Sequence, residues 1–172
     1  MDGNSSRPKP GAWVGYCEHN SHAMLNVFDA NIGKGGYTIF AQMIFDKYRR
    51  RLWGLPWCAV FVHAVVNRPD LLGKPHPGTR VLARRMRRAG LWRGRDYVPC
   101  PGDIIFLSNS RTKRIDHCGI IESCDGDYET SIEGNARDDA GRFQPQEGGV
   151  VARRTRELTD TLIVGYGAIH DK

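Results

Sequence analysis

Apolar positions recur at helical spacing along the first half of the chain and alternate as in strands along the second. Trp13, Tyr16, Cys17, Met24, Leu25 and Phe28 fall near one face and predict a helix over 13–28. Gly33, Gly35 and Gly36 then break the pattern. Ile39, Phe40, Met43, Ile44 and Tyr48 form one stripe and predict a second helix from Tyr37 to Tyr48. From Cys58 to Val66 the chain is apolar all round, so the helix it predicts must be buried on every side, with Pro69 as a stop. Thr79 to Ala89 predicts a fourth helix, amphipathic and basic, capped by Gly90.

After Pro99 the signal changes. Asp103 to Leu107, His117 to Ser123, Tyr128 to Glu133, Gly149 to Arg153 and Leu162 to Ile169 are short β-branched-rich runs separated by Gly, Asp and Asn. Helices followed by strands predict an α+β fold, with N-terminal helices packed on a central antiparallel sheet of about five or six strands. The 172 residues suit one domain over 12–172 with a core of its own. Residues 1–11, "MDGNSSRPKPG", have no apolar segment behind a basic one and are expected to be a disordered leader, not a signal peptide. No run approaches the ~20 apolar residues of a membrane span.

The formal charge of +6 concentrates in Arg49, Arg50 and Arg51 and in the segment from Arg80 to Arg95. Such patches steer a protein toward polyanions, or are solvated helix faces. No zinc-finger spacing or aromatic–basic RNA-binding motif accompanies them, so no specific nucleic-acid partner is expected. Cys17, Cys58, Cys100, Cys118 and Cys124 are odd in number and irregular in spacing, which argues against a disulfide framework and a structural zinc site. His19 and His22 lack further ligands nearby and are read as exposed polar residues, so no metal site is expected.

Cys58 stands where the loop of Gly54 and Pro56 gives way to the buried helix. It is either a small core residue, the common fate of a free cysteine, or a nucleophile in the helix's first turn. There the macrodipole favours a thiolate and unpaired N–H groups can hold an oxyanion. A base must come from elsewhere. His63 points to another side of the same helix, His76 lies between two prolines and His170 near the C-terminus. His117 opens a strand and is either a core histidine or an imidazole facing Cys58. Glu133 and Asn135, two apart in "TSIEGNA", share one strand face. A two-residue Asp125-Gly126 turn would pair His117 with Gly134. A three-residue loop, Cys124-Asp125-Gly126, would pair it with Glu133, as a triad requires.

In order along the chain, "LPWCAVFV", "PGDIIFL", "DHCGIIES", "SIEGNA" and "IVGYGAIH" resemble the CHAP family, cysteine- and histidine-dependent amidohydrolases and peptidases of the papain-like superfamily. The resemblance runs from Trp13 onward. It implies Cys58 as nucleophile, His117 as general base, Glu133 as the third polar residue and Asn135 as a further polar site residue. Trp57 and the Tyr37 region fall at the groove wall or in the core. The implied substrate is bacterial peptidoglycan, cut at the N-acetylmuramoyl–L-alanine amide or within the stem and cross-bridge peptides, as by a phage lysin or wall-remodelling enzyme. Such an enzyme would be made in the cytoplasm and act at the wall after release or assisted export, and its basic patches would suit anionic wall polymers. Some members bind calcium ahead of the cysteine; here that stretch offers only Asp29 with Asn31, so no cofactor is expected. Cys118, where members commonly carry valine or threonine, is read as packing. The same chemistry also suits an antibacterial effector toxin or a glutathione–polyamine amidase, and the framework alone would suit a non-catalytic wall-binding module.

Overall fold

A computed structural model of the chain describes residues 8–28, 35–108, 114–137 and 149–170. Its helices are α1 (Ile39–Tyr48), α2 (Cys58–Val66), the short α3 (Pro69–Leu72) and α4 (Thr79–Arg88). Its strands are β1 (Trp92–Arg93), β2 (Ile104–Ser108), β3 (Ile115–Cys124), β4 (Tyr128–Ala136), β5 (Val150–Glu157) and β6 (Ile163–Gly167). They form one antiparallel sheet in the order β1-β6-β2-β3-β4-β5, an α+β arrangement of helices on a sheet. No helix among the described residues is long and apolar enough to cross a membrane.

The period of two along the strands divides the core. Ile104, Phe106, Cys118, Ile120 and Ile132 face the helices, while Ile105, Leu107, Ile121, Ile163 and Tyr166 build a smaller cluster on the other side. The all-apolar α2 is the centre of the larger cluster, with every residue from Cys58 to Ala64 buried. Its close seat on β4 depends on Gly134, where a Cβ would lie 2.6 Å from Cβ of Phe61 and 2.8 Å from the Trp57 ring. Gly134→Ala is therefore expected to destabilise the fold by about 1–3 kcal/mol, read as a lower urea midpoint. At the end of α4, Gly90 at φ 72° sits past the last helical residue, and Leu91 N–H returns to Met86 O at 2.9 Å.

The helix expected over 13–28 does not form. Two 3-10 turns, Pro10–Trp13 and His22–Met24, flank an extended stretch in which Gly15 N–H bonds Val151 O and Val151 N–H bonds Tyr16 O, beside β5. Gly15 at φ 94° breaks helical geometry at its start. The aromatic spacing is real but serves packing: Tyr16 meets Trp13, Phe28 and Phe40 at ring-centroid distances of 6.1, 5.7 and 5.2 Å. Pro10 and Gly11, expected in the leader, belong to the first turn, and residues 1–7 lie outside the described residues. β5 runs on to Glu157 through "RRTRE", and β1 lies within the basic segment; neither carries the apolar alternation that predicts a strand.

The β3–β4 connection differs from the expected three-residue loop. Asp125 N–H bonds Tyr128 O at 3.1 Å, closing a two-residue Gly126-Asp127 turn with Gly126 at φ 103°. A bulge at Glu122 then shifts the register, so that Ile121 pairs with Ser131 and Ile120 with Ile132. One residue further on, Gly119 falls opposite Glu133. His117 is therefore a diagonal neighbour of Glu133 on the same face, not its direct partner.

Candidate active site

Cys58 opens α2, and its helix end is anchored by Trp57. That indole is 1% exposed, stacks on Phe40 at 5.8 Å and donates from Nε1 to Oε2 of Glu18 at 2.5 Å. Trp57, the N-cap residue, makes no side-chain cap bond, which leaves first-turn N–H groups of α2 to a developing oxyanion. Three side chains converge on the thiol. Thr79, at the start of α4, places Oγ1 3.4 Å from Sγ, and Cys118 and His117 approach from β3. A hydrogen bond from the Cys118 thiol favours the Cys58 thiolate, burial opposes it, and His117 and Thr79 tip the balance well below the ordinary thiol value. Burial pushes the Cys118 thiol up, so it stays protonated and acts as a donor.

His117 is oriented from behind. Its Nε2 lies 2.8 Å from Oε2 of Glu133, which leaves Nδ1 to the thiol; the side chains are 23% and 3% exposed. The other carboxylate oxygen, Oε1, accepts from Ser131 Oγ at 2.9 Å and Arg156 Nη1 at 2.6 Å. Arg156 also reaches Ser131 Oγ at 3.2 Å and Glu129 Oε1 at 3.3 Å. Burial penalises the Glu133 carboxylate, but His117 and Arg156 outweigh it and hold it down at about 2. Burial likewise disfavours the imidazolium, yet the Cys58 thiolate and Glu133 raise His117 to about 10. Gly119 makes the Glu133 reach possible: a Cβ there would lie 2.7 Å from Cγ of Glu133 and 3.0 Å from Ile132 O.

Cys58, His117 and Glu133 are thus brought together. Oδ1 of Asn135 bonds none of the three: the residue sits at φ 57° in a bulge of β4 against β5, packed on Gly149, with Oδ1 buried and without a hydrogen bond. Trp57 is core and offers no ring to a groove. Tyr37 is half-buried, bridges His19 through its backbone and stacks edge-on with His22. His19 is buried and only His22 is exposed, contrary to the reading of both as exposed. His63 is buried and held neutral, lowered to about 3 by burial and by nearby Arg85. The cleft at the thiol, about 450 Å³, runs between Pro56, the first turns of α4 from Gly78 to Arg84, and Ile115 and Asp116 of β3.

Thr79, Cys118, Ser131 and Arg156 were not anticipated at the site. Ser131 was within reach of the period-two rule, two residues before Glu133; Arg156 depends on the β4–β5 register. Asp29 and Asn31 lie outside the described residues. Elsewhere Cys100, Asp103 and His170 bring one ligand atom each within 4.8 Å of one another. Asp103 is however already saturated: Oδ1 accepts from Ile169 N, His170 N and His170 Nδ1, and Oδ2 from Tyr97 Oη and Cys100 N. That carboxylate ties the segment after β6 to β2 and has no lone pair to spare for a metal. Comparison with protein-family models, with curated proteins and with solved structures gave no match to this chain.

Proposed function

We propose that the protein is a cysteine amidohydrolase that cuts an amide bond of bacterial peptidoglycan. The observation that carries this reading is the line from Cys58 through His117 to Glu133, with a thiol at a helix N-terminus and a carboxylate fixing the imidazole. The peptidoglycan assignment rests on the resemblance to CHAP enzymes. The resting site is a thiolate–imidazolium pair, so the proton is already on Nδ1 of His117 when substrate arrives. Sγ bonds to the amide carbon, and the carbonyl electron pair moves to oxygen, held by first-turn N–H groups. Collapse breaks the C–N bond, and Nδ1 delivers its proton to the leaving amine. His117 then takes a proton from water, whose oxygen attacks the thioester; the C–S bond breaks and the thiolate returns.

Purified sacculi incubated with wild type and with Cys58→Ala, followed by mass spectrometry of soluble fragments, test this. New amino termini within peptides identify an endopeptidase, and peptides freed from glycan identify the amidase; either must vanish in Cys58→Ala. Sedimentation onto sacculi with no Cys58-dependent release would overturn the hydrolase and favour a binding module.

A further inference from the structure

We propose that Arg80 and Arg84 form a subsite for carboxylates beside Cys58, so that the substrate is an acidic peptide carrying negative groups on alternate residues. This deepens the proposed hydrolase by naming its substrate class, and it rests on Cys58 being the reacting atom. Both arginines line the thiol cleft, and both also line a second cavity of about 450 Å³ that continues along α4 to Arg87, Arg114 and Val164. The two cavities share Arg80, Arg84 and Ile115 and make one groove leading away from the thiol.

Two neighbouring arginines have structural work. Arg85 donates to Leu72 O and Lys74 O, and Arg87 stacks over Trp92 at 4.0 Å. Arg80 and Arg84 are exposed, with no acidic or aromatic partner among the described residues. Their placement is locally unfavourable. Arg80 lies in the first turn of α4, which has no acidic residue to balance the positive end of the dipole. Arg80 and Arg84 are like charges one turn apart, and so are Arg84 and Arg88. Broken local rules of this kind collect at functional positions, and a bound anion would relieve both conflicts. Asp116, the acidic residue in the wall among the described residues, is itself engaged, as is Arg114.

Spacing indicates what the groove takes. Arg80 and Arg84 are about 6 Å apart along the helix axis, from a rise of about 1.5 Å per residue. Side groups on one face of an extended peptide repeat every two residues, at about 6.6 Å. Two carboxylates on alternate residues thus meet two guanidiniums, each able to donate a bidentate pair of hydrogen bonds.

Alkylation of Cys58 tests this without requiring hydrolysis. Iodoacetate and iodoacetamide react alike, the thiolate displacing iodide as the S–C bond forms, and differ by one negative charge. Labelling of Cys58 by each is followed by mass spectrometry of its peptide. The iodoacetate-to-iodoacetamide rate ratio is expected to fall about tenfold or more from wild type to Arg80→Gln/Arg84→Gln. It should stay near the wild-type ratio in Arg80→Lys/Arg84→Lys and in the exposed control Arg88→Gln. As a second arm, an acetylated, amidated Glu-Ala-Glu-Ala peptide should slow carbamidomethylation in wild type but not in the double glutamine variant, and its Gln-Ala-Gln-Ala counterpart should not slow either. An unchanged ratio in the double glutamine variant, or equal protection by both peptides, would overturn the subsite. Loss of the hydrolase reading shows differently, as charge preference at Cys58 with no amide cut in sacculi.

Discussion

Glu133→Gln is expected to slow hydrolysis on the order of 10³–10⁴-fold, because it imposes the wrong tautomer on His117. In the wild type Oε2 faces Nε2 of His117 while Oε1 accepts from Ser131 and Arg156. A glutamine has one acceptor oxygen for those two directions. The guanidinium cannot accept, so the amide oxygen stays toward Arg156 and the NH₂ turns to the imidazole. His117 Nε2 must then be the acceptor and Nδ1 must carry the proton, so neutral His117 cannot take one from the thiol. Two pH readouts separate this from simple loss of packing. In wild type, alkylation of Cys58 should stay fast well below neutral pH, because the thiolate is held far below its ordinary value. In the variant its rise should move to higher pH, because the imidazolium of His117 no longer supports the thiolate while Cys118 and Thr79 still do. Wild-type hydrolysis should fall as pH climbs through about 10, where His117 loses the proton needed by the leaving amine. That limb should move to lower pH in the variant, since no carboxylate supports the imidazolium. Identical profiles for the two proteins would rule out the orienting role.

How much of this was legible in the sequence depended on how far each residue's setting extends along the chain. The setting of Cys58 is local: a loop, then an all-apolar helix, and α2 forms as the pattern predicts. The shared face of His117 and Glu133 follows from the period of two once the register is known. The register itself was misjudged, because the bulge at Glu122 leaves no mark in composition and compensates for a turn one residue later than expected. Arg156 was out of reach. It lies on a strand that reads as a polar run, and it meets Glu133 only because Ser131 pairs with Arg154 and Ile132 with Arg153. Cys118 reads as packing, and it does pack in the helix-side cluster, but that face is also the one that meets Cys58. The stretch over 13–28 misled for a different reason: aromatic side chains can converge on a core from an extended backbone as readily as from a helix.

Arg156→Met is expected to lower the unfolding free energy by about 3–5 kcal/mol at neutral pH, the usual cost of stripping the partner from buried charges. For a domain of this size that is a fall in Tm of about 10 °C. The guanidinium, 15% exposed, is the shared counter-charge of Glu129 and Glu133, two buried carboxylates on one face of β4. Glu129 is poorly compensated even so, with Oε2 buried and without a hydrogen bond, and burial raises it to about 7 despite Arg156. The two acids pull stability in opposite directions with pH. Glu133, held at about 2, contributes stability that is present above its ordinary 4.5 and lost as pH falls from there to about 2. Glu129, raised, costs stability as pH rises from 4.5 to about 7. The pair therefore stabilises the wild type most near pH 4.5. Without Arg156 the Glu133 contribution shrinks and the Glu129 cost grows, so the deficit of the variant should be largest at neutral pH and narrow toward pH 4.5. Adding Glu129→Gln should recover part of the loss at pH 7, because one buried carboxylate then remains instead of two. Urea unfolding of wild type, Arg156→Met and Arg156→Met/Glu129→Gln across this range measures it. A deficit that does not vary with pH, or a double variant no more stable than the single one, would mean that Arg156 acts through packing of its aliphatic stem and not through the two carboxylates.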